Sequence, residues 1–257
     1  MNGHNQKWLI RLSSPVNARL RLVCFPHAGA GASVFRNWPA RLPADIELWA
    51  IQPAGREGRF LEPLLHQMPP LTGCVTAELL QLPEMPLAFF GHSMGALLAF
   101  ETARLLRVNR RSPPACLFVS GNRAPQLQKE APKTYNLPEK EFLEALRRMN
   151  GIPPEILNNS EWRELLIPVL RADLSVCQTY RYISAEPLVC PIVVFGGQED
   201  AEAPRESLAA WGQQTSSAFR VVLFPGGHFY LQTSEAQFLE SLSTELRWAA
   251  ANCTACV

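Results

Sequence analysis

The sequence lacks most of what would mark a chain for a nucleic acid, a membrane or an oxidising compartment. Its 257 residues carry a formal net charge of +1. Without a field of one sign it has no electrostatic footprint for nucleic acid. The opening stretch, MNGHNQKWLIRLSSPVNARL, has no apolar core of the kind a secretory signal needs. Apolar runs such as residues 96–100 are far too short to span a bilayer. A cytoplasmic protein with no membrane and no nucleic-acid partner is therefore expected. The seven cysteines are odd in number and scattered, which does not suit a disulfide framework. Only Cys253 and Cys256 lie close, in a terminal CTAC read as a frayed end, while Cys24, Cys116 and Cys190 sit in or beside apolar runs as small buried hydrophobes. There is no H-E-x-x-H and no cysteine–histidine cluster at ligand spacing, so no metal is expected. GAGAS lacks the lysine of a phosphate loop, and G-x-G-x-x-G is absent, so no nucleotide cofactor is expected either.

What is present is a globular composition, 47% hydrophobic and 18% charged. The length is near the upper end for one domain, and residues 1–257 are read as one. Short apolar runs recur, each ending in Gly, Pro or a polar turn: RLVCFPHAG, ELWAIQPAG, LAFFGHSMG, CLFVSGNRA, PIVVFGGQED and RVVLFPGGH. They do not alternate with polar residues, which suits strands covered on both faces and hence a mostly parallel sheet. Helical patterns separate them at 33–42, 71–82, 94–108, 204–213 and 232–251. Strands alternating with helices predict an α/β doubly wound fold. From about 125 to 186 no strand signal appears. PEKEFLEALRRM carries Phe142, Leu143, Leu146 and Met149 on one helical face, with Asn150-Gly151 as a stop. A second helix follows, with Ser160 as its expected N-cap and Pro168 expected to kink or split it. An amphipathic helical insertion between two strands is a candidate lid over a pocket.

The chemistry concentrates at the ends of the apolar runs. Ser93 lies in Gly91-His92-Ser93-Met94-Gly95, a G-x-S-x-G sequence between a strand and a helix. Such a turn forces the serine into a sparsely allowed backbone conformation and exposes its hydroxyl at a helix N-terminus. A hydroxyl needs a base to take its proton. His228, after RVVLFPGG, is well placed, and Asp200, at the end of VFGGQED, is the favoured acid, with its neighbour Glu199 as the alternative. The chain order Ser93, Asp200, His228 is that of an α/β-hydrolase. An oxyanion hole needs two backbone N–H donors. Met94, next to the serine, is one candidate, and Ala28, in the pliable CFPHAGAGA loop, is the other.

Over residues 22–239 the chain resembles the external, or type II, thioesterases of nonribosomal peptide and polyketide synthases. The resemblance rests on FPHAGAGAS, IQPAGREGRFLEP, FFGHSMGALLAFE, LFVSGNRAP, LLIPVLRADL, VFGGQED and FPGGHFYL. It implies an α/β-hydrolase fold with a helical lid at about 125–186. It also implies a serine thioesterase that clears misprimed or stalled acyl groups from the phosphopantetheine arm of acyl or peptidyl carrier domains. Phosphopantetheine would belong to the partner, leaving the enzyme without a cofactor of its own, and a monomer is expected. Phe142, Leu146, Trp162 and Leu166 would line the acyl site, and Arg56, Arg59 and Arg123 would meet the arm or the carrier. A carboxylesterase and an acyltransferase share the same triad. A catalytically silent binding module needs none of it. GGQEDAEAP departs from the family's usual Asp-Pro after the glycine pair, which keeps Glu199 in play.

Overall fold

The structure is a computed structural model that describes residues 7–128, 133–149 and 159–253. Seven strands form one sheet: β1 (Leu9–Arg11), β2 (Leu20–Phe25), β3 (Ile46–Ile51), β4 (Leu87–His92), β5 (Cys116–Ser120), β6 (Ile192–Gly197) and β7 (Phe219–Phe224). Their order across the sheet is β1-β3-β2-β4-β5-β6-β7. Only β1 runs antiparallel, against β3. The other pairings are parallel, so all six remaining strands point their carboxyl ends the same way. Every residue of β2, β3, β5 and β6 is buried, as their unbroken apolar runs require.

Helices α1 (Met68–Leu79) and α2 (Met94–Val108) cover one face, and the closing helix α7 (Glu235–Asn252) covers the other. Phe89, Leu97, Leu117, Val194 and Trp211 belong to the first layer of core. Leu22, Phe90, Phe118, Phe195, Phe238 and Leu242 belong to the second. Cys24, Cys116 and Cys190 are buried in these layers with free thiols. Burial pushes all three thiols upward in pKa, away from the reactive thiolate.

Between β5 and β6 the described residues form helices and irregular stretches, with no strand and only an isolated bridge at Leu188. Helix α3 (Glu139–Met149) buries Phe142, Leu143, Ala145 and Leu146, as its stripe predicts. Helix α4 (Ser160–Thr179) closes a small separate apolar cluster over them with Leu166 and Leu170. The expected stop at Asn150-Gly151 lies outside the described residues. Four local expectations are corrected. Asn159, not Ser160, caps α4, its Oδ1 accepting from Trp162 N at 3.1 Å. Of the kink or split expected at Pro168, the split is overturned, since α4 runs on through it. Residues 33–42 form two short 3-10 turns, Ala32–Phe35 and Trp38–Ala40, because Pro39 supplies no N–H to continue an α-helix. Near residue 204 the helix is shorter than its pattern: α5 covers Arg205–Ala209 and passes into a 3-10 turn. A single turn, α6 (Tyr230–Thr233), precedes α7.

Candidate active site

Ser93, Asp200 and His228 all lie beyond the carboxyl ends of parallel strands, following β4, β6 and β7. At Ser93 the backbone has φ 54° and ψ −118°, a left-handed region that L-residues seldom occupy. The turn is held from both sides. A Cβ on Gly91 would lie 2.1 Å from Gly95 O, and one on Gly95 would lie 2.1 Å from Phe25 O. Only glycine fits at either place. Ser93 N donates to Ser120 O at 2.8 Å, and Asn122 Nδ2 donates to Ser93 O at 2.8 Å. Ser93 Oγ caps no helix N–H and is left for other chemistry.

His228 Nδ1 donates to Asp200 Oδ2 at 2.8 Å. The other oxygen of Asp200 accepts from the N–H groups of Glu202 and Ala203, at 2.9 and 3.3 Å. Asp200 is buried and Glu199 exposed. The acid that touches the histidine is thus Asp200. With Nδ1–H held by a carboxylate, Nε2 is the free basic nitrogen. The His228 ring lies 5.0 Å from that of His92, the residue before Ser93. His27, in the loop after β2, completes the group at 5.8 Å from His92. Burial holds the pKa of His92 well below the usual histidine value, as does the nearby charge of His228 when present. The same causes bring His27 down to about 4. A chain of hydroxyls, Tyr230 to Ser120 at 2.6 Å and Ser120 to His92 Nδ1 at 2.9 Å, runs beneath them.

The loop after β2 carries Ala28. Gly29 N and Ala30 N are hydrogen-bonded, to Asp173 and to His27 O, and among the described residues Ala28 N has no partner. Met94 is the first residue of α2, so no intrahelical carbonyl reaches its N–H. Each remains available to an oxygen anion. Side chains from elsewhere hold the loop: Gln52 Oε1 accepts from Ala32 N at 3.0 Å, and Glu57 Oε1 accepts from Ser33 Oγ at 2.6 Å.

A thioesterase domain model matches residues 20–246. The chain belongs to the thioesterase family. It is 42% identical over 241 residues to the gramicidin S biosynthesis protein GrsT of Aneurinibacillus migulanus, covering 94% of each chain. Among solved structures it is similar to BorB, the type II thioesterase from the borrelidin biosynthetic cluster. The TM-score is 0.86 at 31% identity, with 95% of this chain and 100% of that one covered. It is also similar to YbtT, a type II thioesterase from the yersiniabactin NRPS/PKS pathway, with TM-score 0.83, 33% identity, and 94% and 99% covered. The chain is thus a thioester hydrolase of the α/β-hydrolase fold.

The outlying residues of this thioesterase are placed less simply. Phe142 and Leu146 are buried in the cluster under α4, and Leu166 packs at its edge. Trp162 departs from the expected lining: it is 57% exposed, because the first two turns of α4 run past the packed part. Arg56 and Arg59 depart from the expected carrier contact. Arg56 is buried and bonded to both oxygens of Asp173. Arg59 is buried over the Trp8 ring at 4.1 Å and pairs with Glu62 at 2.7 Å. Neither guanidinium can reach a docked protein without leaving these partners. Arg123 is more open and donates to Glu202 O at 2.7 Å. Asn122 and the Arg56–Asp173 pair do not stand out in the sequence as site residues. The second had a signal: Asp173 is an acid in the apolar stripe of Val169, Leu170, Ala172 and Val176, a position that an unpaired carboxylate seldom holds.

Proposed function

We propose that this type II thioesterase hydrolyses acyl groups carried as thioesters on the phosphopantetheine arm of acyl or peptidyl carrier domains, so that a blocked synthase module can restart. His228 Nε2 takes the proton of Ser93, whose oxygen attacks the thioester carbonyl. The N–H groups of Ala28 and Met94 receive the developing oxyanion. Asp200 keeps His228 in the productive tautomer and balances its charge. The intermediate collapses, the carbon–sulfur bond breaks, and the pantetheine thiol leaves with the proton from His228. Water, activated by the same nitrogen, attacks the acyl-enzyme and releases a free acid while Ser93 regains its proton. The acyl chain would lie against the helices between β5 and β6, with Leu166 and its neighbours as its apolar wall. The protein is read as a cytoplasmic monomer that meets its carriers transiently, and no described helix is long and apolar enough to cross a membrane.

The observation that carries this reading is the Asp200–His228 hydrogen bond at the carboxyl ends of the strands, where Ser93 is held at φ 54°. The test is intact-mass analysis of acyl-loaded carrier protein with wild type and Ser93→Ala. Wild type should strip the acyl mass. Ser93→Ala should slow this by at least about 10⁴-fold. Equal behaviour of the two proteins would sink the catalytic assignment. Much faster turnover of free esters than of any carrier-bound acyl group would make the enzyme an esterase.

A further inference from the structure

The loop that bears Ala28 is clamped by a buried ion pair that takes no part in the bond-making steps. Asp173, on α4, is 3% exposed, and Arg56, in the loop after β3, is 7% exposed. Asp173 Oδ1 accepts from Arg56 NH2 at 2.8 Å and Oδ2 accepts from NH1. Oδ2 also accepts from Gly29 N at 2.7 Å, while Arg56 NH1 donates to Ala30 O at 3.1 Å. The pair therefore holds two peptide groups of the loop, with one peptide between them, the first by its N–H at Gly29 and the second by its C=O at Ala30. Buried ion pairs are often no more stabilising than apolar residues of the same size. A role in stability alone gives little reason for charges here. What they supply is direction.

Gly29 shows how close the contact is. Its φ is +84°, and a Cβ built there would lie 2.7 Å from Leu170 Cδ2. Leu170 and Asp173 are three residues apart, on one face of α4, and the loop lies against that face. The peptide joining Ala28 to Gly29 is fixed through Gly29 N. The free N–H of Ala28 belongs to the adjoining peptide plane.

We propose that Asp173 and Arg56 are positioning residues for the oxyanion hole, aiming the Ala28 N–H through Gly29 and Ala30. This rests on the proposed role of Ala28. The consequence is that the carboxyl half of α4 must stay docked for turnover. Any opening of α4 itself is confined to its turns before Pro168, where residues 160–168 are exposed or only partly buried.

The test uses purified full-length enzyme and an acyl N-acetylcysteamine thioester. Substrate turnover is measured together with the affinity of an alkylboronic acid, which binds a serine as a tetrahedral anion. Asp173→Asn should lower kcat on the order of 10²-fold with KM nearly unchanged. Boronic acid affinity should weaken in parallel. Arg56→Lys keeps one charge but loses the two-pronged grip, and should fall on the order of 10-fold. In wild type, amide exchange at Gly29 should be as slow as in β2, a readout that needs no variant. Fast exchange at Gly29, or unchanged kcat and boronic acid affinity in folded Asp173→Asn, overturns the proposal. Either result leaves the hydrolase reading intact as long as wild type turns over and Ser93→Ala does not. If those two behave alike, the underlying reading has failed instead.

Discussion

Two loops converge at the carboxyl ends of β2 and β4, and they are held in opposite ways. The turn around Ser93 is fixed by backbone against backbone, with Gly91 against Gly95 and Gly95 against Phe25. The loop around Ala28 is fixed by side chains that come from 20 to 144 positions away: Gln52, Glu57, Arg56 and Asp173. The first arrangement is steric and has almost no way to relax. The second is electrostatic and can be weakened by degrees. A nucleophile must present one atom at one place, whereas an anion site must hold its N–H donors at an angle. The difference suits each task.

The sharpest way to break this comparison is at Gly95. Gly95→Ala places a Cβ against the carbonyl of Phe25, a backbone atom at the carboxyl end of β2. The expected loss is about 3 kcal/mol or more, seen as a collapse of the denaturation midpoint or as failure to accumulate folded protein. A folded, active Gly95→Ala would show that the turn is not sterically locked. Gly29→Ala meets only the end of a leucine, although its φ is also strained. It should cost about 2 kcal/mol. Because the clash is with Leu170, the double variant Gly29→Ala/Leu170→Ala should recover part of the lost activity. Activity in the double variant no better than in Gly29→Ala would deny that α4 bears on the loop.

The most gradual effect concerns acid. His27 in the loop has a pKa of about 4 when folded, against 6.5 for a free histidine, chiefly through burial. Above pH 6.5 it is neutral in both states. Between 6.5 and 4 only the unfolded chain takes up the proton, so stability is lost as pH falls through that window. The loss is at most about 1.4 kcal/mol per pH unit. His27→Phe should flatten this limb in denaturation midpoints measured at pH 7, 6 and 5. An unchanged slope means that His27 is not the group responsible.

The same contrast explains what the sequence reveals. The Ser93 turn is written in five consecutive residues, and the strand before it and helix after it are equally local. Helix α2 matches its pattern end to end. Asp200 and His228 are legible because each follows its own apolar run. The clamp on the Ala28 loop is not legible in the same way. It joins three segments, and nothing in GRE or LRAD taken separately says that one faces the other. Arg56 and Arg59 look like free surface cations for that reason, since pairing depends on a partner far along the chain. Strand β1 escapes notice because it has three residues, only Leu9 of them buried. Trp162 misleads because helical spacing gives the face of a side chain but not whether the core extends that far.

The three clustered imidazoles are not equivalent as proton carriers. Burial keeps His27 and His92 uncharged, while His228 alone has a carboxylate on its inner nitrogen. In the proposed reaction a single proton shuttles between serine, thiol and water. Its neighbours offer it no competing resting place, because charging either of them would put a second cation beside the first. Three similar rings thus behave as a one-seat carrier, and the seat is chosen by the residue behind each ring rather than by the ring itself.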